Sequence, residues 1–170
     1  MNRKIQIPGL NTAQGTIPSG ASQRITASPP NDDSLSLQWY HDYIGTFTAW
    51  DTTKGDSSVV IGIIDTGLDY DHPEFLGQVA VSPLEDANGN GRFDPWPDTV
   101  AINGVFGDFD RTDADGNGYI DDVIGYDFTD QPNSPFGGDY LFEDANPYDD
   151  NDHGTLVAGI ISANENNGLG

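Results

Sequence analysis

The 170 residues carry 28 acidic side chains against six basic ones, a formal net charge of −22. That balance argues against a nucleic-acid ligand, whose phosphates are bound chiefly by Lys and Arg, and against anionic membranes for the same reason. The absence of cysteine removes disulfides, thiolate metal sites and a cysteine nucleophile, and no run of about 18 apolar residues marks a membrane span.

Residues 1–34 are rich in Gly, Ser, Thr, Asn and Pro and read as a linker or the remnant of a pro-segment. Their basic start, Met1-Asn2-Arg3-Lys4, lacks the apolar core of a signal peptide. The expectation is that the natural N-terminus lies upstream and that the protein works outside the cell or in the cell envelope. From Ser36 to Asp51 the aromatics Trp39, Tyr40, Tyr43, Phe47 and Trp50 crowd together as candidate core, with a short helix predicted over Thr46–Thr53 and ended by Gly55.

The run Val59-Val60-Ile61-Gly62-Ile63-Ile64 is apolar on both faces, which predicts a buried strand over 57–64 in a parallel sheet covered by helices on each side. It ends in Asp65, delivered to the edge where open α/β sheets place their chemistry, and Gly67 permits a tight turn there. A long acidic, Gly-rich insertion follows, over 76–151. The spacing of Leu156, Val157, Ile160 and Ile161 then predicts an amphipathic helix over 154–163, with Ala158 and Gly159 allowing close approach to neighbours. His153 sits where loop becomes helix.

A carboxylate after a strand and a histidine at a helix start suggest an Asp–His relay. Ile64-Asp65-Thr66-Gly67 and His153-Gly154-Thr155 resemble the aspartate and histidine motifs of the subtilisin-like serine proteases, or subtilases, in that chain order. The resemblance implies a subtilisin-like α/β fold, incomplete here, with residues 35–170 forming the N-terminal part of a peptidase domain. It assigns Asp65 as the orienting acid and His153 as the general base. The family's serine has no match: Ser162, the one serine after His153, lacks the Gly-Thr-Ser context and reads as an ordinary helix residue. Leu156 stands where the family usually has a second histidine, and Asp71-His72-Pro73-Glu74 resembles a structural turn that follows the catalytic aspartate.

Within the insertion, Asp86-Ala87-Asn88-Gly89-Asn90-Gly91-Arg92-Phe93-Asp94 and Asp113-Ala114-Asp115-Gly116-Asn117-Gly118-Tyr119-Ile120-Asp121 repeat one pattern. Oxygen side chains stand at positions 1, 3, 5 and 9 and glycine at 6, as in the first three-quarters of an EF-hand loop, where the residue-7 carbonyl (Arg92 or Tyr119) adds a ligand. Residues 108–152 hold 14 acidic residues against one arginine, a charge that calls for cations. Calcium is the expected ion, since the donors are all hard oxygens. Asp113, Asp115, Asn117, Tyr119 and Asp121 form the stronger site, and Asp86, Asn88, Asn90, Arg92 and Asp94 the weaker.

The function these features predict is a calcium-stabilised serine endopeptidase acting on protein or peptide substrates. The remaining C-terminal part of its peptidase domain would be the partner that completes it, and this chain alone is expected to be inactive. The alternatives are a non-catalytic calcium-binding module and one half of a split protease.

Overall fold

The computed structural model describes residues 29–130 and 142–169. Residues 1–28 of the expected linker and 131–141 of the acidic insertion lie outside them. A 3₁₀ turn at Leu35–Leu37 leads into two five-residue helices, α1 (Tyr40–Ile44) and α2 (Thr46–Trp50). Gly45 separates them in the left-handed conformation, φ 76°, so the chain turns where one longer helix would otherwise run. The helix predicted to reach Thr53 stops at Trp50, and the N–H groups of Thr52 and Thr53 both fold back to the Ala49 carbonyl.

The aromatic cluster expected as core is not buried: among the described residues the buried apolar side chains are Phe75, Val123 and Ala158. The rings of Tyr40, Phe47 and Trp50 lie 4.5, 5.6 and 5.4 Å from the His41 ring. Trp39 and Tyr43, four residues apart and so on one helix face, are 71% and 84% exposed. Neither α1 nor α2 has a buried residue; helices of five residues with no other element packed on them leave their rings to stack on one another.

The buried strand expected over 57–64 is not formed. Residues 59–64 belong to no ladder, and Val59, Val60 and Ile64 are largely or wholly exposed. A strand with two apolar faces needs a neighbour on each edge and a cover on each face; among the described residues none is supplied. The sheet that does form is an antiparallel hairpin of β1 (Ala101–Ile102) and β2 (Val105–Phe106), pairing Ala101 with Phe106 and Ile102 with Val105. Its two-residue turn is Asn103-Gly104, both at positive φ, the turn whose twist matches paired strands.

Helix α3 (His153–Ser162) appears at its expected place but presents a different face inward. Gly154 and Ala158 are its buried residues, while Leu156 and Ile160 are 70% and 83% exposed. Small residues one turn apart bring the helix backbone close to the segment 67–76, whose 3₁₀ turn Pro73–Phe75 is capped by His72 Nδ1 accepting the Glu74 N–H. Beyond the helix, Asn164 donates its backbone N–H to the Glu74 carbonyl and its side-chain amide to the Leu76 carbonyl. Phe75 is buried at this junction.

The last residues before the 3₁₀ turn at Leu35 are tied to the far end of the chain. Asp32 accepts the N–H groups of Asn166, Asn167 and Gly168, each at 3.1 Å. Nearby, Lys54 pairs with Glu165 at 2.6 Å, both side chains well exposed. These two tethers differ in worth: hydrogen bonds to a charged acceptor are worth about 1.5–3 kcal/mol when buried and less where water competes, whereas an exposed ion pair contributes below about 1 kcal/mol. Asp32→Ala is therefore expected to lower the urea unfolding free energy by about 1–2 kcal/mol, and Lys54→Ala by a few tenths.

Candidate active site

Asp65 and His153 meet across 88 positions. The imidazole Nδ1 lies 2.6 Å from Asp65 Oδ1, the distance of a charge-assisted hydrogen bond. Asp65 is fixed locally as well, since the same oxygen accepts the Thr66 N–H at 2.8 Å. The Asp65 side chain is 16% exposed and that of His153 65%, so the ring stands open on one side with the carboxylate behind it.

Each group shifts the other. The His153 hydrogen bond, and after it the Thr66 N–H, holds the Asp65 carboxyl below the usual carboxylate range. The same hydrogen bond and then the Asp65 charge push the imidazole pKa up, with Asp149 adding its charge. The stabilisation from the raised imidazole is fully present below the ordinary value of about 6.5 and is lost as pH rises through the higher folded value.

Two glycines permit the approach. Gly67 has φ 124°, and a Cβ there would meet the Tyr148 carbonyl oxygen at 2.6 Å; a Cβ on Gly154 would clash with the Gly67 carbonyl oxygen. The turn after Asp65 and the first turn of α3 thus touch backbone to backbone. Thr66 Oγ1 accepts the Gly154 N–H at 2.9 Å, satisfying one of the helix's unpaired N-terminal donors, and the Leu68 N–H reaches the Pro147 carbonyl. Ser162 donates its hydroxyl to the Ala158 carbonyl at 3.3 Å. It lies nine residues along the helix from His153, roughly 13.5 Å by helix rise, and faces its own helix.

The two acidic loops share their internal geometry. In the second, Asn117 and Gly118 N–H groups bond Asp113, Asn117 N–H also bonds Asp115, and Tyr119 N–H bonds Asn117 Oδ1. The first repeats each bond with Asn90, Gly91 and Arg92 donating to Asp86, Asn88 and Asn90. Position 9 departs from expectation in both. Asp121 turns out of its loop, is buried, and accepts the N–H groups of Asp110 and Arg111. Asp94 accepts the side-chain amides of Asn88 and Asn90, closing the first loop on itself.

A residue outside the loop pattern converges on Asp113 and Asp115. Carboxylate oxygens of Glu85, Asp113 and Asp115 lie within 4.8 Å of one another, the one such acidic, His or Cys group among the described residues. Glu85, 3% exposed, also accepts the Asp115 N–H at 2.8 Å. Three converging carboxylates suit a hard cation, and no thiolate or imidazole competes. Glu85 immediately precedes the first loop, 28 positions before Asp113, so no local spacing pointed to it. In the first loop's neighbourhood Asp108 is fully buried. Burial pushes its carboxyl up to about 6 against the N–H bonds from Asp94 and Asn88, and the Asp86 and Asp94 charges add to the rise.

Comparison with known proteins decides the family. The subtilase family model (peptidase S8) matches residues 56–170. The chain belongs to the subtilase family. The family's α/β fold follows from that membership. Subtilisin-like protease 1 of Plasmodium berghei (strain Anka) is 32% identical over 142 residues, covering 82% of this chain and 18% of that protein. A thermophilic serine proteinase of Bacillus sp. (strain AK1) is 31% identical over 131 residues, 77% of this chain and 18% of its own. Halolysin-like extracellular serine protease Nep of Natrialba magadii is 30% identical over 82 residues, 46% of this chain and 15% of its own. The chain thus spans less than a fifth of the length of these relatives. No helix among the described residues is long and apolar enough to cross a membrane.

The backbone contact under the Asp–His pair makes a prediction within one helix. Gly154→Ala should destabilise the chain by about 1–3 kcal/mol, because the added methyl forces the two segments apart. Gly159→Ala, with no heavy atom within 4 Å of the new methyl, should stabilise it by about 0.5–1 kcal/mol through helix propensity. Thermal or urea unfolding of the two variants reads the opposite signs.

Proposed function

We propose that the complete protein is a subtilisin-like serine endopeptidase in which Asp65 is the orienting acid and His153 the general base. The 2.6 Å contact between them across 88 positions is the observation that carries this reading. Asp65 bonded at Nδ1 leaves Nε2 as the nitrogen that takes the proton from a serine hydroxyl as it attacks the scissile carbonyl. The carboxylate holds the tautomer and stabilises the imidazolium, and the proton then passes to the leaving amine.

The serine belongs, on this reading, to the remaining C-terminal part of the domain, which is also the partner of this chain. Residues 35–170 are the domain's N-terminal part and 76–151 an insertion in it. The same remainder would supply the strands and helices that convert 57–64 into a parallel strand covered on both faces. The exposed apolar side chains of Val59, Val60 and Ile64, with Leu156 and Ile160 of α3, support this completion. The substrate is a protein or peptide, and the similarity to Nep, an extracellular serine protease, supports an extracellular setting.

In the complete protein, Asp65→Asn and His153→Ala should each lower kcat by about four to six orders of magnitude, the range measured in subtilisin itself, with the fold retained. Near-normal peptide hydrolysis by either variant would remove that residue from the relay. The 170-residue chain by itself should take no covalent label from a fluorophosphonate.

Calcium fits the second acidic loop. Glu85, Asp113 and Asp115 would hold it, with Asn117 and the Tyr119 carbonyl completing the oxygen set and Asp121 left to its backbone donors. A bound ion would neutralise part of the local charge and fix the loop. Without a closing glutamate at position 12 the affinity should be on the order of 10⁻⁴ to 10⁻³ M, and at about 100 times Kd the ion should add roughly 2.7 kcal/mol to the folded state. Titration calorimetry should show this binding lost in Asp113→Ala/Asp115→Ala, strongly weakened in Glu85→Gln, and little changed in Asp86→Ala. Undiminished heat in the double variant would leave the second loop as a glycine turn and place the ion elsewhere.

A further inference from the structure

With the His153 ring open to water, the Asp–His contact alone is a weak tether. Charges open to water attract weakly, and the two groups arrive on separate segments whose relative position must come from elsewhere. Beneath them lies a third carboxylate, Asp149, four residues before His153 and 4% exposed.

Five donors converge on it. Oδ1 accepts the Thr66 hydroxyl at 2.8 Å and the N–H groups of Asn151 and Asp152 at 3.0 and 3.1 Å. Oδ2 accepts the N–H and the hydroxyl of Thr155 at 2.8 and 2.6 Å. Both hydroxyls then accept from the opposite segment: Thr66 Oγ1 from the Gly154 N–H, and Thr155 Oγ1 from the Asp69 N–H at 2.9 Å. Each threonine therefore donates to Asp149 and accepts across the junction, which fixes the direction of its O–H. Only an acceptor at both oxygens satisfies this arrangement. An asparagine would turn an NH₂ toward at least two donors and leave them unpaired in a buried place.

The carboxylate also closes the open end of α3. Its bond to the Thr155 N–H serves a first-turn donor that Asp152, left-handed at φ 70° and without a side-chain cap bond, does not serve, and a negative charge there suits the helix dipole. Burial pushes the Asp149 carboxyl up, but the Thr155, Asn151 and Thr66 bonds outweigh it and hold it at about 2. The group is therefore ionised at pH values well above 2.

Resting on the assignment of Asp65 and His153 as the relay, we propose that Asp149 is its positioning residue, holding the Asp65 turn and the first turn of α3 in register through Thr66 and Thr155. It hydrogen-bonds neither relay side chain and acts through the two segments that carry them.

The test is an NMR titration of the Asp65 carboxyl and the His153 imidazole in the 170-residue chain, as wild type, Asp65→Asn, Asp149→Asn and Thr66→Val. Loosened positioning should return both groups toward their ordinary values, Asp65 upward and His153 downward, with most of each shift lost in Asp149→Asn and part of it in Thr66→Val. A residue acting only through its charge would do the opposite at Asp65, because removing a nearby negative charge lowers a carboxyl pKa. Asp65 lowered or unmoved in a folded Asp149→Asn chain overturns the proposal. Should that variant not fold, Thr66→Val, which keeps the Asp149 charge, decides: an unmoved Asp65 overturns it. If instead Asp65→Asn leaves the His153 titration unchanged, the relay itself is absent, an outcome distinct from a relay that stands while Asp149 fails to position it.

Discussion

Uncharged donors, chiefly backbone N–H groups, in place of cationic side chains, hold the buried carboxylates of Glu85, Asp94, Asp108, Asp121 and Asp149. With 28 acidic residues and six basic ones, ion pairing cannot neutralise the interior acids. Among the described residues Glu74, Glu85, Asp94, Asp108, Asp121 and Asp149 are nonetheless buried, more of them than the buried large apolar side chains. Burying a charge is costly unless donors surround it, and glycine-rich, irregular backbone exposes many N–H groups to act as donors. Acid content and loop content are therefore complementary: each makes the other tolerable.

The outcome differs from site to site because the number of donors differs. Asp149 gathers five and is held at about 2. Asp108 receives two, from Asp94 and Asn88, and desolvation prevails, leaving it at about 6. By linkage the first group favours the folded state above about pH 4, and that contribution fades as pH falls through 2. The second favours it most below about pH 4 and loses that contribution as pH rises through 6. Acidification from about pH 6 to 4 thus favours the fold around Asp108, and further acidification from about 4 to 2 loosens the junction that Asp149 holds.

That junction depends on close backbone approach as much as on hydrogen bonds. Gly67 and Gly154 bring the two segments into contact with no side chain between them, and α3 buries Gly154 and Ala158 while its large apolar residues face outward. A helix seated on its small residues sits nearer its neighbour than one seated on leucine and isoleucine, and the nearness is what lets Nδ1 of His153 reach Asp65. The outward apolar face and segment 59–64 leave large apolar side chains exposed among the described residues.

Local chemistry was legible in the sequence wherever it depended on neighbours along the chain. The two motifs, the helix from His153, the turn at His72 and the repeated loop pattern all appear where the residues placed them, because turns, caps and 3.6-residue periodicity are properties of adjacent residues. What depended on distant residues was not. The apolar run 59–64 has the composition of a buried strand, yet a strand is buried only by partners, and composition names none. The face of α3 that packs is decided by the backbone it meets, so the periodicity of Leu156 and Ile160 marked an apolar face without saying that Gly154 and Ala158 would be the ones covered. Glu85 joins Asp113 and Asp115 from 28 positions away, Asp121 leaves its loop for the Asp110 and Arg111 N–H groups, and Asp149 serves two segments at once. Each is a choice among donors and acceptors that only the folded arrangement brings within 3 Å.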